Sequence, residues 1–189
     1  MARPLSSQKY TALINATIST LAENGLSATT ANIAKRAKVA VGTLFTYFPT
    51  KEQLFNDVYL LLKSDMAERL VTGYPKNADV HTQIKHVWSG YTEWALKNPN
   101  GKRVLRLLSV SELLTPETLA KTPEPLVLID QMFTQAIKDN LLVSDEKDFI
   151  YNIFQNISDA TSEQIEKQPE RKDALLQLGF EIMWKAISA

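Results

Sequence analysis

The chain has 189 residues, 44% of them hydrophobic, with 21 basic against 21 acidic side chains and no cysteine. That length suits one sizeable domain or two small ones with a core that needs no covalent staples. The missing cysteine excludes disulfides, thiol nucleophiles and Cys-ligated zinc, and it fits a reducing compartment.

Strand signals are nearly absent, and helical periodicity runs throughout. The first helix is expected over Ser7–Asn24, with Leu13, Ala16 or Thr17 and Leu21 on one face and Gly25 as its stop. Thr29 caps a second helix, Thr30 to about Ala37, whose inward face is Ile33, Ala34 and Ala37. After a turn at 38–40 comes a short third helix, Val41 to about Phe48, halted by Pro49. Thr50-Lys51-Glu52-Gln53 forms a capping box for a fourth helix reaching about Val71. Gly73-Tyr74-Pro75-Lys76-Asn77 interrupts the pattern. Further helices are expected over Asp79–Lys97, Lys102–Leu114, from Thr122-Pro123 to Leu142, from a Ser144 cap to Lys167, and from Pro169 to Ser188, with a helical turn at 115–121.

The N-terminus, MARPLSSQKY, has no apolar run of signal-peptide type, and the apolar run Val58–Leu62 is only five residues long. A soluble, cytoplasmic chain without a membrane partner is expected. The neutral total hides an asymmetry: residues 1–54 carry a net +4 and the remainder −4. Arg3, Lys9, Lys35, Arg36, Lys38 and Lys51 supply the positive part, which suits a polyanion-facing segment, although scatter gives differences of this size.

A capped helix of two turns, a tight turn and a second short helix have the spacing of a helix-turn-helix. If Leu44 and Phe48 face inward, Gly42, Thr43, Thr46 and Tyr47 face outward, with Val41 and Phe45 at the margin. The run Thr29-Thr30-x-x-Ile33-Ala34-Lys35-x-Ala37-x-Val39, followed by Gly42-Thr43-Leu44-Phe45-x-Tyr47-Phe48-x-x-Lys51-x-x-Leu54, resembles the DNA-binding domain of TetR-family transcriptional regulators.

The resemblance implies an all-α fold: an N-terminal three-helix DNA-binding domain, residues 1–52, joined through the fourth helix to a larger helical ligand-binding and dimerisation domain, residues 53–189. It implies phosphate contacts at Thr30, Tyr47 and Lys51, with Lys38 adding charge, and places Val41, Gly42, Thr43, Phe45 and Thr46 on the face turned to bases. Three positions depart from the family pattern. Lys38 stands where Gly is usual, Ala40 where Ser is frequent, and Phe45 where Tyr is frequent. Val41, Thr43, Thr46 and Phe45 suit thymine methyls, so an operator with T at contacted positions is expected. Phe45 is equally suited to packing on the fourth helix, and Lys35 and Arg36 to a solvated face.

The same resemblance implies that the C-terminal part binds an unidentified small effector and forms a homodimer that presents two recognition helices to a palindromic double-stranded operator, most often as a repressor. Trp88, Tyr91, Trp94, Met132, Phe133 and Tyr151 are candidates to line an effector pocket, or else plain core. Phe154, Ile157, Ile165, Leu175, Leu178, Ile182 and Trp184 of the last two helices are candidates for a four-helix dimer interface. No catalytic, metal-binding or cofactor pattern is present. The two histidines, His81 and His86, are five apart, and no phosphate-loop, Gly-x-Ser-x-Gly or His-Glu-x-x-His run occurs. A helical adaptor that binds protein instead of DNA is the competing reading.

Overall fold

The computed structural model describes residues 6–189, so Arg3 lies outside the described residues. Among these there are ten α-helices, two 3-10 turns and no strand, apart from one bridge pairing Leu142 with Ser188. The helices are α1 (Ser7–Asn24), α2 (Thr30–Arg36), α3 (Val41–Tyr47), α4 (Lys51–Val71), α5 (Val80–Lys97), α6 (Pro99–Ser109), α7 (Pro116–Ala120), α8 (Glu124–Lys138), α9 (Lys147–Lys167) and α10 (Lys172–Ile187). The fold is all-α, as expected.

The first four helices follow their local signals. Ser6 caps α1, and Gly25, at φ 59°, turns the chain out of it while donating its N–H to Leu21 O. The Thr29 hydroxyl accepts from Asn32 N at 3.2 Å at the start of α2, and Thr50 Oγ1 accepts from Gln53 N at 3.1 Å at the start of α4. Later boundaries correct the sequence reading. Helix α6 begins at Pro99 and stops at Ser109. The run Asn98-Pro99-Asn100-Gly101 was expected only to end α5, yet proline fits a first helical position and opens the next helix there. Helix α8 closes at Lys138, and the chain leaves through Asn140 at φ 54°. Ser144 Oγ accepts from Glu146 N in the turn ahead of α9, which starts later, at Lys147. Pro169–Arg171 forms a separate 3-10 turn before α10.

The described residues divide into two compact units. The first holds the chain up to Lys63 together with Pro99–Lys121. Its core is Leu13, Leu21, Ile33, Leu44, Phe48, Leu54, Phe55 and Leu108, all almost fully buried, each contributing about 1.5–3 kcal/mol through removal of apolar surface from water. Asn56, also buried, fastens the loop after α6: its Nδ2 donates to Leu113 O at 3.0 Å and its Oδ1 accepts from Thr115 N at 2.9 Å. A buried amide satisfied on both sides holds this segment in one place.

The second unit holds Ser64–Asn98 and Thr122–Ala189. Here α9 and α10 form an antiparallel pair on α5. Gly179 marks their closest approach, because a Cβ there would land on Thr161 Oγ1, 2.8 Å from Thr161 Cγ2 and 3.0 Å from Trp88 Cζ2. Gln83 shapes the loop before α5 by donating from Nε2 to Lys76 O at 2.9 Å and Ala78 O at 3.0 Å, while its Oε1 accepts from the Tyr74 hydroxyl at 3.1 Å.

Candidate nucleic-acid interface

The helix-turn-helix is built from a small buried hinge. Ile33 and Ala34 of α2 are buried, as are Leu44 of α3 and Phe48 just beyond it, while Ala37 and Val39 between them are half-buried. The small Ala34 lets α2 and α3 cross closely. Lys38 stands in the turn with φ 57°. A left-handed backbone normally favours Gly, so Lys38 takes a conformation that glycine usually supplies. Its N–H is used, donating to Lys35 O at 3.2 Å. Ala40 occupies the cap position of α3 and, as its methyl requires, supplies no side-chain cap.

Burying Leu44 fixes which face of α3 meets solvent. Val41, Gly42, Phe45 and Thr46 are exposed, and Thr43 and Tyr47 are half-buried. Phe45, equally fit for the core by sequence, is 43% exposed and lies on the outward face. The Thr46 hydroxyl donates to Gly42 O at 3.0 Å, which leaves its oxygen able to accept. At Gly42 an added Cβ would meet nothing within 4 Å, so the backbone there is bare on its outer side. Thr30 is half-buried at the first position of α2.

The positive side chains divide into two groups. Lys9, Lys35 and Lys38 are exposed. Lys51 is half-buried with its ammonium 5.2 Å from the centroid of the Phe55 ring, a cation–π contact that directs it along the first turn of α4. Arg36, offered by sequence as either solvated or DNA-facing, is held by Glu23 of α1 at 2.6 and 2.8 Å. Tyr47 carries a bond that sequence reasoning missed. Its hydroxyl accepts from Ser6 N at 2.9 Å and donates to Ser6 O at 3.2 Å. The partners stand 41 residues apart, and no local pattern signals them.

In the second unit, Trp88, Tyr91, Trp94, Met132 and Phe133 are buried and Tyr151 is half-buried. The five aromatic residues form a connected cluster around Phe154, whose ring lies 5.7 Å from Trp88, 6.3 Å from Tyr91 and 6.5 Å from Phe133, with Phe133 5.0 Å from Tyr151 and Tyr91 6.2 Å from Trp94. Polar tips mostly find partners. The Tyr91 hydroxyl donates to Asp159 Oδ1 at 2.8 Å, Trp94 Nε1 to Asp65 Oδ2 at 2.6 Å, and the Tyr151 hydroxyl to Asp130 Oδ1 at 3.1 Å. Burial, and then the neighbouring Asp130 carboxylate, pushes the Tyr151 phenol well above its usual range. Trp88 Nε1 and His86 Nε2 are buried side-chain atoms without a partner among the described residues.

The proposed dimer residues separate by exposure. Phe154, Ile165 and Leu175 are buried within the chain itself, because α9 and α10 need one apolar face each for α5 and for each other. Trp184 and Ile157 are half-buried, Trp184 with its ring 4.8 Å from that of His81. Leu178 and Ile182 are each 50% exposed, one helical turn apart on the outer side of α10.

Two short crossed helices with one exposed uncharged face and lysines at its margins make up a helix-turn-helix, and the chain carries a second, helical unit. Residues 13–58 match the family described as bacterial regulatory proteins, tetR family. A protein from Shewanella sp. PV-4 described as a tetR family transcription regulator is 23% identical with a TM-score of 0.84, covering 97% of this chain and 100% of its own. A TetR family transcription regulator from Marinobacter aquaeolei VT8 is 21% identical with a TM-score of 0.85, covering 96% of each chain. The transcriptional regulator FadR from Bacillus subtilis, solved in complex with stearoyl-CoA, is 22% identical with a TM-score of 0.68, covering 94% of this chain and 99% of its own. At these identities the likeness is one of fold. No described helix is long and apolar enough to cross a membrane.

Proposed function

We propose that the protein is a cytoplasmic repressor that binds a palindromic operator as a homodimer and releases it when a small molecule occupies the C-terminal part. The observation that carries this reading is the outward face of α3. Val41, Gly42, Phe45 and Thr46 form an uncharged exposed surface with Lys38 before it and Lys51 just after it. Exposed apolar side chains grouped on one helix face call for a partner. Methyl and ring surface suits thymine methyls, Thr43 and Thr46 suit base edges, and the lysines together with Thr30 suit the phosphates on either side.

In this reading residues 1–52 are the DNA reader, and residues 53–189 sense the effector and dimerise. Helix α4 runs through the boundary between these parts and is the transmitter. Leu178 and Ile182, with Ile157 beside them on α9, form the apolar seam between protomers, and two helices from each give a four-helix bundle. The effector displaces part of the aromatic cluster around Trp88, Tyr91, Phe133 and Tyr151, and the unpartnered Trp88 Nε1 supplies a hydrogen-bond donor for it. Stearoyl-CoA, bound by the Bacillus subtilis regulator, is one compound for the first effector panel. The protein carries out no catalysis of its own.

Selection from a random DNA pool tests the proposal. Enriched sites should carry two-fold symmetry, with T under the α3 face and half-site centres about 10 bp, or a multiple of that, apart. Binding should weaken steeply with salt. An enriched set without symmetry, or with only G·C pairs at the contacted positions, defeats the reading. An effector found by thermal shift must weaken DNA binding by the same factor by which DNA weakens effector binding.

A further inference from the structure

We propose that Tyr47 acts on DNA through α1 and not through its own hydroxyl. It is a positioning residue that holds Ser6, and thereby sets Lys9 and the first turn of α1 beside the recognition helix. The inference rests on the operator-binding reading above. A phenol has one proton to give. Here that proton goes to Ser6 O at 3.2 Å while the same oxygen accepts from Ser6 N at 2.9 Å. Ser6 is bound on every side: its O also accepts from Tyr10 N at 3.1 Å, and its Oγ faces Lys9 N at 3.5 Å. Apolar packing closes the joint, with the Tyr10 ring 5.5 Å from Phe48 and Phe48 6.5 Å from Tyr47. Lys9 is exposed one turn into the helix that this latch fixes.

To grip a phosphate itself, Tyr47 must first surrender Ser6 O, exchanging one hydrogen bond for another at little net gain. Keeping the latch costs nothing and delivers an ammonium to the groove edge. The two roles differ in their salt signature. A neutral phenol on a phosphate displaces no counterion, whereas a lysine displaces about one. Tyr47→Phe keeps the ring and removes only the hydroxyl. If Tyr47 positions α1, this variant weakens operator binding about 5- to 10-fold and lowers the slope of log K against log salt by about one per protomer, as Lys9→Gln does. The double variant then binds no more than about two-fold worse than the weaker single variant. In the free protein, the amides of Ser6 and Tyr10, which the latch engages, exchange faster in Tyr47→Phe while those of α2 and α4 do not change.

An unchanged salt slope, a double variant equal to the product of the two singles, or unaltered amide exchange at the start of α1 overturns the inference. A wild-type protein that binds no DNA overturns the operator reading instead, and the exchange measurement then still decides whether Tyr47 holds α1.

Discussion

Gly42 gives the sharpest separation between folding and function. It stands at the second position of α3, in helical backbone, and a Cβ added there meets nothing within 4 Å. In the free protein Gly42→Ala therefore has no steric cost. The gain from restricting the unfolded chain is about 1 kcal/mol in a helix interior and roughly half that in a first turn. The melting temperature should rise by about 1–2 °C for a chain of this size. In the complex the sign reverses. If the outer side of α3 lies against base edges, the new methyl enters space that DNA occupies, and overpacking costs about 1–3 kcal/mol, or about 5- to 150-fold in affinity. Thermal melts of the free protein and anisotropy titrations with the selected operator read the two terms separately. An alanine variant that melts higher and binds as well as wild type would refute the placement of this face against DNA. A variant that melts lower would refute the open environment of Gly42.

Three further expectations concern the second unit. Gly179→Ala drives a methyl into Thr161, whose hydroxyl is bound to Ile157 O at 2.8 Å and resists rotation; overpacking outweighs the propensity gain, and a fall of about 1–2 kcal/mol in urea melts is expected, with an unchanged midpoint counting against the tight α9–α10 crossing. Leu178→Glu combined with Ile182→Glu leaves the fold intact, since both side chains are half-exposed, but should yield a monomer by light scattering; a persisting dimer rules out this face. Glu93 accepts from Arg69 and lies 4.0 Å from Lys97 Nζ, and the Arg69 hydrogen bond holds its carboxyl below the ordinary range. A depressed folded-state pKa contributes stability above the unfolded value of about 4.3 that is lost as the pH falls through the folded one. Glu93→Gln should therefore cost about 0.5 kcal/mol at neutral pH after allowance for its exposure, and the two melting curves should converge in acid; a constant difference across the range would assign the effect to packing.

The architecture was legible wherever a short stretch of chain decides its own conformation. Ser6, Thr29, Thr50 and Gly25 end helices through bonds that span three or four residues, so α1 to α4 begin and stop at or within one residue of where their signals place them. Legibility failed where a residue has two local uses. Pro99 ends one helix or opens another with equal local merit, and packing of the first unit around Val104, Leu105 and Leu108 selects the second use. The same distinction runs through the candidate site. The inward pair Leu44 and Phe48 follows from periodicity, and that pair fixes the outward face. The sequence left both sides open for Phe45 and Arg36, and although it turned Tyr47 outward it gave no sign of the Ser6 bond, because such contacts depend on residues distant in the chain: Glu23 for Arg36 and Ser6 for Tyr47. A periodic stripe names the face that is buried but not which apolar face meets the protomer and which meets a second copy. That is why Phe154, Ile165 and Leu175 were expected beside Leu178 and Ile182, although the first three close the unit's own core. Long-range polar bonds are therefore where a helical fold hides its specific behaviour, and the Ser6–Tyr47 pair, invisible to any spacing rule, joins the start of α1 to α3.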